Sequence, residues 1–242
     1  MQGQGESGGG PPLVGDPQWI GRHVQRDQEG LWREILSMAA YADAALRTAV
    51  EALCNGRLDL VDAVRAEEQE IDRWEVRIET ECLRVLALYG LVASDLRRVV
   101  AALRINRELE GLSDIAENLA KRAKKLHKNP AAAPFLPQLC LLADESLRIV
   151  DQGLKALRAV DSDLARQVIL SENEVDRRRA AILSDLKNAV RDEPERVNTW
   201  LRLVSSARNL GRAADHATNI AEAVVYMKEG VFLRRGDTAT ED

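Results

Sequence analysis

The sequence has few of the residues from which most catalytic sites are built. Its 242 residues include three histidines and three cysteines, and aromatic residues make up 4% of the chain. No glutamate stands three residues before a histidine, which argues against the Glu-x-x-His iron ligands of ferritin-type bundles. Neither a phosphate-binding P-loop nor a spacing typical of a Ser/His/Asp or Cys/His set is present. We therefore expect a protein that is not an enzyme and carries no organic cofactor.

The charges and the cysteines exclude further classes of protein. The net charge is −5, so we do not expect the clustered basic surface that nucleic-acid binding needs. Short basic runs, such as the one from Lys121 to Lys125, are typical of solvated helix faces. Cys54, Cys82 and Cys140 are odd in number and form no CxxC motif, which predicts reduced thiols and neither a zinc site nor a disulfide framework.

Signals for membrane insertion or export are also lacking. The amino-terminal stretch has neither a basic start nor an apolar run, so we do not expect a signal peptide. No stretch reaches the roughly 18 uncharged apolar residues of a spanning helix. The sequence therefore predicts a cytoplasmic protein without a transmembrane segment.

The pattern that the sequence does contain is that of long helices. Ala, Leu, Val, Glu and Arg dominate, while glycine and proline are sparse between residues 30 and 127. Apolar residues recur at intervals of three and four in a first helix that ends at Asn55-Gly56. The same spacing predicts a second helix over about residues 59–89 and a third that ends near His127, with Ser94 as its N-cap.

The pattern starts again after a proline-rich segment, KNPAAAPFLP. LDLVDAVRAEEQEIDR (58–73) resembles SDLARQVILSENEVDR (162–177), and RELEGLSDIAENLAKR (107–122) resembles RNLGRAADHATNIAEA (208–223). These matches predict an all-α fold with two tandem copies of a three-helix unit. The expected units are a disordered lead-in (1–18), a first repeat (19–128), a linker (129–135), a second repeat (136–230) and a charged tail (231–242).

A row of polar residues lies on the third predicted helix. Glu110, Asp114 and Asn118 follow one another at intervals of four and therefore share one helix face. Two carboxylates one turn apart repel unless a cation lies between them, so the row suits a hard metal ion that prefers oxygen ligands. The spacing alone also fits an ordinary solvated face whose carboxylates form ion pairs with nearby arginines and lysines.

The corresponding row of the second repeat is Gly211, Asp215 and Asn219, in which one carboxylate is missing. The glycine costs about 1 kcal/mol of helix propensity relative to alanine. We expect this second row to bind metal more weakly than the first, or not at all. Two interpretations of Gly211 stay open: the simple loss of a ligand, or the close approach of another helix. His216 is expected at a helix surface or interface rather than as a ligand.

These motifs resemble those of the PhoU family, the accessory regulators of bacterial phosphate uptake. The resemblance is carried by LVASDLRRVVAALRINRELEGLSDIAENLAKR and ARNLGRAADHATNIAEAVVYMKEG, with the EEQEID and ENEVD blocks, over about residues 28–230. It implies an all-α fold of two tandem, pseudo-symmetric three-helix bundles. It also implies a cytoplasmic protein at the inner membrane face, often a homodimer, that negatively regulates phosphate uptake and the phosphate-starvation response. The implied partners are the ATPase subunit of a phosphate ABC transporter and a sensor histidine kinase.

The resemblance also implies divalent or ferric metal ions bound by Glu-x-x-x-Asp rows. Carried onto this chain, the candidate ligands are Glu110, Asp114, Asn118, Asp215 and Asn219. Three functions are compatible with these observations: a signalling adaptor without catalysis, a metal-binding or metal-storage bundle, and a carboxylate-bridged di-metal enzyme. The missing carboxylate at Gly211 counts against the third and places the signalling adaptor above the metal-binding bundle.

Overall fold

Seven α-helices and three short 3-10 helices make up the described part of the chain. The structure is a computed structural model that describes residues 17–171 and 173–233, without the side chains of residues 17–20 and 173. No β-strand occurs in these residues, which confirms the all-α prediction. None of the described helices is both long and apolar enough to cross a membrane. In chain order the α-helices are α1 (Pro17–Asn55), α2 (Val61–Leu88), α3 (Ala93–Leu126), α4 (Leu136–Ala159), α5 (Ser162–Leu170), α6 (Asn173–Asp192) and α7 (Val197–Glu229).

The first repeat consists of α1, α2 and α3, which all pack on one another. A row of alanines on α1 is fully buried and lets the neighbouring helices approach closely, while larger apolar residues fill the space between them. Gly56 ends α1 with φ of +68°, a left-handed conformation that glycine adopts without steric cost. The N-cap position of α3 is Val92, so the prediction of Ser94 as the cap was wrong by two residues.

The second repeat follows the same order with one difference. The counterpart of α2 is interrupted: α5 ends at Leu170, and α6 begins at Asn173. Ser171 closes α5, because its hydroxyl donates to the Val168 carbonyl at 3.0 Å. The second repeat therefore has its middle helix in two pieces, α5 and α6, where the first repeat has one continuous helix.

Short 3-10 helices form connections between the α-helices. The proline-rich segment forms a 3-10 helix over Pro130–Phe135, with the Asn129 side chain as its cap. Another 3-10 helix, Pro194–Arg196, leads into α7. Residues 1–16 of the predicted lead-in and 234–242 of the predicted tail lie outside the described residues.

The two repeats meet mainly through α3 and α7, which run antiparallel. Glu108 of α3 contacts His216 and Asn219 of α7, while Asn129, just beyond α3, donates to the Thr199 hydroxyl near the start of α7. The buried apolar residues of both repeats form one continuous core. The two predicted bundles are therefore packed together over the length of their third helices.

A disulfide also joins the repeats and corrects the prediction of reduced thiols. Cys54, near the end of α1, is bonded to Cys140, near the start of α4, with Cα atoms 5.6 Å apart and a separation of 86 positions in sequence. Cys82 is a buried free cysteine. The two bonded cysteines lie far apart in sequence, so their proximity depends on how α1 packs against α4, which no spacing rule contains.

Candidate functional site

The carboxylates of the first polar row lie against α2. Glu110 is half-buried, and the loss of contact with water disfavours its charged form. The charges of Asp114, Glu75 and Asp72 add to this effect and raise the pKa of Glu110 to about 7. The predicted pair Glu110 and Asp114 is thus part of a larger group of negative charges that belongs to two helices.

Residues of α2 supply the other half of this group. Burial, together with the charges of Asp72, Glu117 and Asp114, raises the pKa of Glu68. Glu75 also has a raised pKa, because of burial and the nearby charges of Glu79 and Asp72. We call the group the acidic face; it consists of Glu68, Asp72 and Glu75 on α2 and Glu110, Asp114 and Glu117 on α3.

The three α2 residues were missing from the sequence-based site. A signal for them was present, since Glu68 and Asp72 have the same interval of four as Glu110 and Asp114. The EEQEID block, which contains Glu68 and Asp72, was used only to identify the repeat. Which carboxylates face one another depends on the packing of α2 on α3, so the two rows could not be joined from periodicity alone.

The donor chemistry of the acidic face fits a hard cation. Carboxylate oxygens are the ligands that such ions prefer. Burial is the main cause of the raised pKa values, and the like charges of neighbouring carboxylates add to it. Lys121 neutralises part of this negative charge through an ion pair with Glu117 at 2.5 Å. In the described residues no three His, Cys, Asp or Glu side chains converge closely enough to enclose a single ion. The face is therefore an open carboxylate surface rather than a closed cage.

Asn118, the last member of the predicted row, is engaged elsewhere. Its amide donates to the Asp114 carbonyl at 2.9 Å, and its side-chain oxygen accepts from Arg122 at 3.2 Å. The side chain thus lies between the acidic face and a cluster of cations toward the end of α3. As a metal ligand, Asn118 stays a prediction.

The second polar row has a different composition because an arginine lies in it. The side chain of Arg179, on α6, packs on Gly211 so closely that a Cβ built on that glycine would lie 2.7 Å from Arg179 Cδ. The guanidinium pairs with Asp176 at 2.6 Å and lies 4.0 Å from Asp215. Of the two interpretations of Gly211, close approach agrees with the structure, with a side chain rather than a helix backbone as the approaching group.

The repeat alignment shows what has changed between the two rows. Asp72 corresponds to Asp176 at an offset of 104 residues, and the same offset places Arg179 where the first repeat has Glu75. Gly211 stands where the first repeat has Glu110. Thr218 likewise stands where the first repeat has Glu117, so three carboxylates of the acidic face are absent from the second repeat and one fixed positive charge is added. The second row therefore does not fit a multiply charged cation.

The remaining predicted residue, Asn219, takes part in the contact between α3 and α7. Its amide donates to Glu108 at 3.0 Å, and His216 Nδ1 lies 2.7 Å from the same carboxylate oxygen. Burial opposes ionisation of Glu108, but the bonds from His216 and Asn219 outweigh it and lower the pKa of Glu108. The His216 ring packs over Gly111, where a Cβ would lie 2.7 Å from Nε2. His216 is therefore an interface residue, as predicted.

The fold and the site together define a duplicated all-α bundle with polar rows on the third helix of each repeat. A model of the family described as "PhoU domain" matches residues 35–123 and 139–224. The chain therefore belongs to the PhoU family.

Curated relatives agree with this assignment over most of their length. The chain is 28% identical over 215 residues to a phosphate-specific transport system accessory protein PhoU homolog of Pseudomonas aeruginosa, covering 89% of each chain. A protein of the same description from Zymomonas mobilis is 32% identical over 204 residues, which are 84% of this chain and 86% of the relative.

Solved structures show the same fold. The crystal structure of PhoU from Pseudomonas aeruginosa matches with a TM-score of 0.78 at 28% identity, over 86% of this chain and 99% of that one. A phosphate transport system regulatory protein PhoU from Streptococcus pneumoniae matches with a TM-score of 0.76 over 87% of this chain and 99% of that one. Its identity of 23% supports the fold alone.

Proposed function

We propose that the protein is an accessory protein of a phosphate transport system and a negative regulator of phosphate uptake and of the phosphate-starvation response. The observation that supports this most directly is that both repeats match the PhoU family, in order, within an alignment that spans 89% of the chain and of a relative so described. A fragment or a single shared bundle would carry less weight, because one fold serves many functions.

In this proposal the protein acts by binding rather than by catalysis. It couples the ATPase subunit of a phosphate ABC transporter to a sensor histidine kinase, from the cytoplasmic side of the inner membrane, where its partners hold it. Its long helices offer extended faces on which partner helices or loops can dock. A homodimer is part of the proposal, since it presents two such faces to a two-fold partner.

The regulatory role is tested by alkaline phosphatase activity in host cells that lack the protein. With ample phosphate, we expect high activity in the deletion strain and low activity once a plasmid copy is supplied. Phosphate-starved cells of each strain are the control, since they show that the reporter responds. Low activity in the phosphate-replete deletion strain would contradict the proposal.

The partners are tested separately by co-purification. Tagged protein is expected to retain the transporter ATPase subunit and the kinase from membrane extracts. An unrelated tagged helical bundle of similar charge serves as the control. Retention of neither partner, while the reporter assay still responds, would leave regulation intact and refute the coupling of these two proteins.

The acidic face supports a second role in metal binding. Glu110 and Asp114 would bind a divalent or ferric ion at this open surface, with water completing its coordination. Glu68, Asp72 and Glu75 would add negative charge around the ion. We expect Asp114→Asn to reduce bound iron, manganese or magnesium by about tenfold or more. Asp215→Asn makes the same change in the second row and is expected to leave the metal content unchanged.

A further inference from the structure

A cleft with a positively charged lining lies between α3 and α7, beside the acidic face. It has a volume of about 370 Å³ and is lined by Asn118, Lys121, Arg122, Lys125, Asn198, Leu201, Arg202 and Ser205. Four of these residues are basic and none is acidic. This composition differs from that of the whole chain, whose net charge is −5. We call it the α3–α7 cleft.

Its two arginines have no carboxylate partner in the part of the chain that the structure describes. Arg122 donates to the Asn118 carbonyl at 2.8 Å and Arg202 to the Asn198 carbonyl at 3.2 Å, each one helical turn back. Each guanidinium has five N–H donors, so most of them remain available to a ligand. Burial lowers the pKa of Arg122, which shows that its charge has lost solvent without gaining an acidic neighbour.

Several other cations of the described residues form ion pairs with carboxylates. Arg84 bonds to Glu81 and Asp27, and Arg148 bonds to Glu145. Within the basic run itself, Lys124 turns to the other side of α3 and pairs with Asp62 at 3.1 Å. Of the cleft residues in this run, Lys121 pairs with Glu117, while Arg122 and Lys125 form no ion pair with a carboxylate in the described residues. Arg122 and Arg202 are both partly buried, so the expectation of a merely solvated basic face does not describe them.

The partial charge of a helix end accounts for the position of only one of the four cations. Lys125 lies in the last turn of α3, where a positive charge complements the partial negative charge of the helix end. Arg202 lies in the second turn of α7, near the amino-terminal end that already carries partial positive charge. The charge of Arg202 adds to the positive potential of this helix end, and an anion bound in the cleft would reduce that potential.

We propose that the α3–α7 cleft binds a phosphoryl group, held by the guanidinium groups of Arg122 and Arg202 and by Lys125. The planar guanidinium fork matches the oxygens of a phosphate, and the number of cations favours a multiply charged anion over a single carboxylate. The cleft volume is at the lower end of the range for small-molecule sites, so it suits a free phosphate, a pyrophosphate or the phosphates of a nucleotide. A lipid headgroup presents the same chemistry.

Calorimetric titration of the purified full chain tests the site, with inorganic phosphate, pyrophosphate and ATP as separate probes at constant ionic strength. Vesicles of phosphatidylglycerol, compared with vesicles of phosphatidylcholine, form the lipid arm. Arg122→Gln and Arg202→Gln are each expected to weaken binding about tenfold or more, while Arg202→Lys, which keeps the charge and loses the fork, has a smaller effect. Arg208→Gln is the matched control, because it removes the same charge from an exposed position of α7 outside the cleft.

Saturable binding of a free probe that both cleft variants weaken supports the proposal and assigns a soluble ligand. Binding to phosphatidylglycerol vesicles alone, with the same dependence on Arg122 and Arg202, supports it and assigns the headgroup. Two results would overturn it: no binding of any probe at millimolar concentration, or an equal loss in Arg208→Gln, which would mean that only net charge matters. Circular dichroism of each variant shows whether a loss of binding reflects unfolding.

Discussion

Arg179 lies on Gly211 at the place where the first repeat has Glu75 opposite Glu110. A Cβ on the glycine would lie 2.7 Å from Arg179 Cδ, and the guanidinium is held by Asp176 at 2.6 Å. The two differences between the repeats are complementary, because the glycine leaves the space that the arginine side chain fills. The second row thus contains its own cation, while the acidic face of the first repeat has a surplus of negative charge.

This relationship predicts the effect of replacing both Arg179 and Gly211 with glutamate. The double variant Arg179→Glu with Gly211→Glu gives the second row the carboxylates of the first, so we expect the metal content per chain to rise toward twice that of the wild type. Gly211→Glu alone is expected to add none, because its carboxylate would pair with Arg179. The measurement is elemental analysis by mass spectrometry after dialysis against manganese. A folded double variant with unchanged metal content would show that charge at this row does not control binding.

Only part of this difference between the two polar rows could be inferred from the sequence. The loss of a carboxylate at Gly211 follows from aligning the two rows. The compensating Arg179 lies two residues beyond the block that established the offset of 104, and a longer alignment would have paired it with Glu75. That its side chain reaches across to Gly211 depends on the packing of α6 against α7, which periodicity does not describe.

Other features divide in the same way between local and long-range causes. The helices and their boundaries depend on spacing, glycine and proline, so the end of α1 at Gly56 could be predicted. The Cys54–Cys140 bond and the α3–α7 cleft each bring together residues far apart in the chain. Such pairs require the tertiary arrangement, which a single sequence does not contain.

A second prediction concerns Gly153, where α4 approaches α7. A Cβ there would lie 2.9 Å from the Ala217 carbonyl oxygen, a backbone atom that cannot turn aside as a side chain can. We expect Gly153→Ala to lower the free energy of unfolding by about 1–3 kcal/mol. Gly30→Ala is the control, since nothing lies within 4 Å of a Cβ at that helical position and the gain in helix propensity is about 1 kcal/mol. Urea unfolding of both variants tests this, and equal effects of the same sign would contradict it.

A third prediction concerns the response of stability to acid at Asp27. Burial opposes ionisation of its carboxyl, but hydrogen bonds from Arg84 at 2.7 Å and Tyr89 at 3.0 Å outweigh this and lower its pKa below the ordinary value of 3.8. A lowered folded-state pKa means that the stabilisation is complete above the unfolded-state value and is lost as the pH falls through the folded-state value. We expect Asp27→Asn to cost about 1–2 kcal/mol near neutral pH and progressively less below pH 3.8.

The control for Asp27 is a more exposed ion pair between the same two helices. Glu34 accepts from Arg77 at 3.2 Å, and its side chain is 36% exposed compared with 10% for Asp27. Because such pairs contribute roughly 0–1 kcal/mol, Glu34→Gln should change stability little. Thermal unfolding of both variants at a series of pH values gives the comparison. If the wild type stays more stable than Asp27→Asn by the same amount at acidic pH, the stabilisation does not come from the charge of Asp27.

A fourth prediction concerns the reactivity of the three cysteines. With Cys54 bonded to Cys140 and Cys82 buried, the native protein should react with no equivalent of the thiol reagent DTNB. Burial raises the pKa of the Cys82 thiol to about 12, so hardly any reactive thiolate forms even at mildly alkaline pH. Two thiols should become reactive after reduction in the native state, and the third only after unfolding. Two reactive thiols before any reduction would show that the bond between the repeats is absent.

Stability measurements give the same bond a quantitative test. The bond closes a segment of 86 residues, and the chain-entropy estimate for a loop of that length is up to about 4.5 kcal/mol. Cys54→Ser should therefore unfold at a lower urea concentration than the wild type in oxidising buffer, and the difference should largely vanish when dithiothreitol is present. Cys82→Ser serves as the contrast: it places a hydroxyl in the core and should lower stability equally in both buffers. A Cys54→Ser effect that is the same with and without reductant would mean that Cys54 stabilises the protein through packing and not through a covalent link.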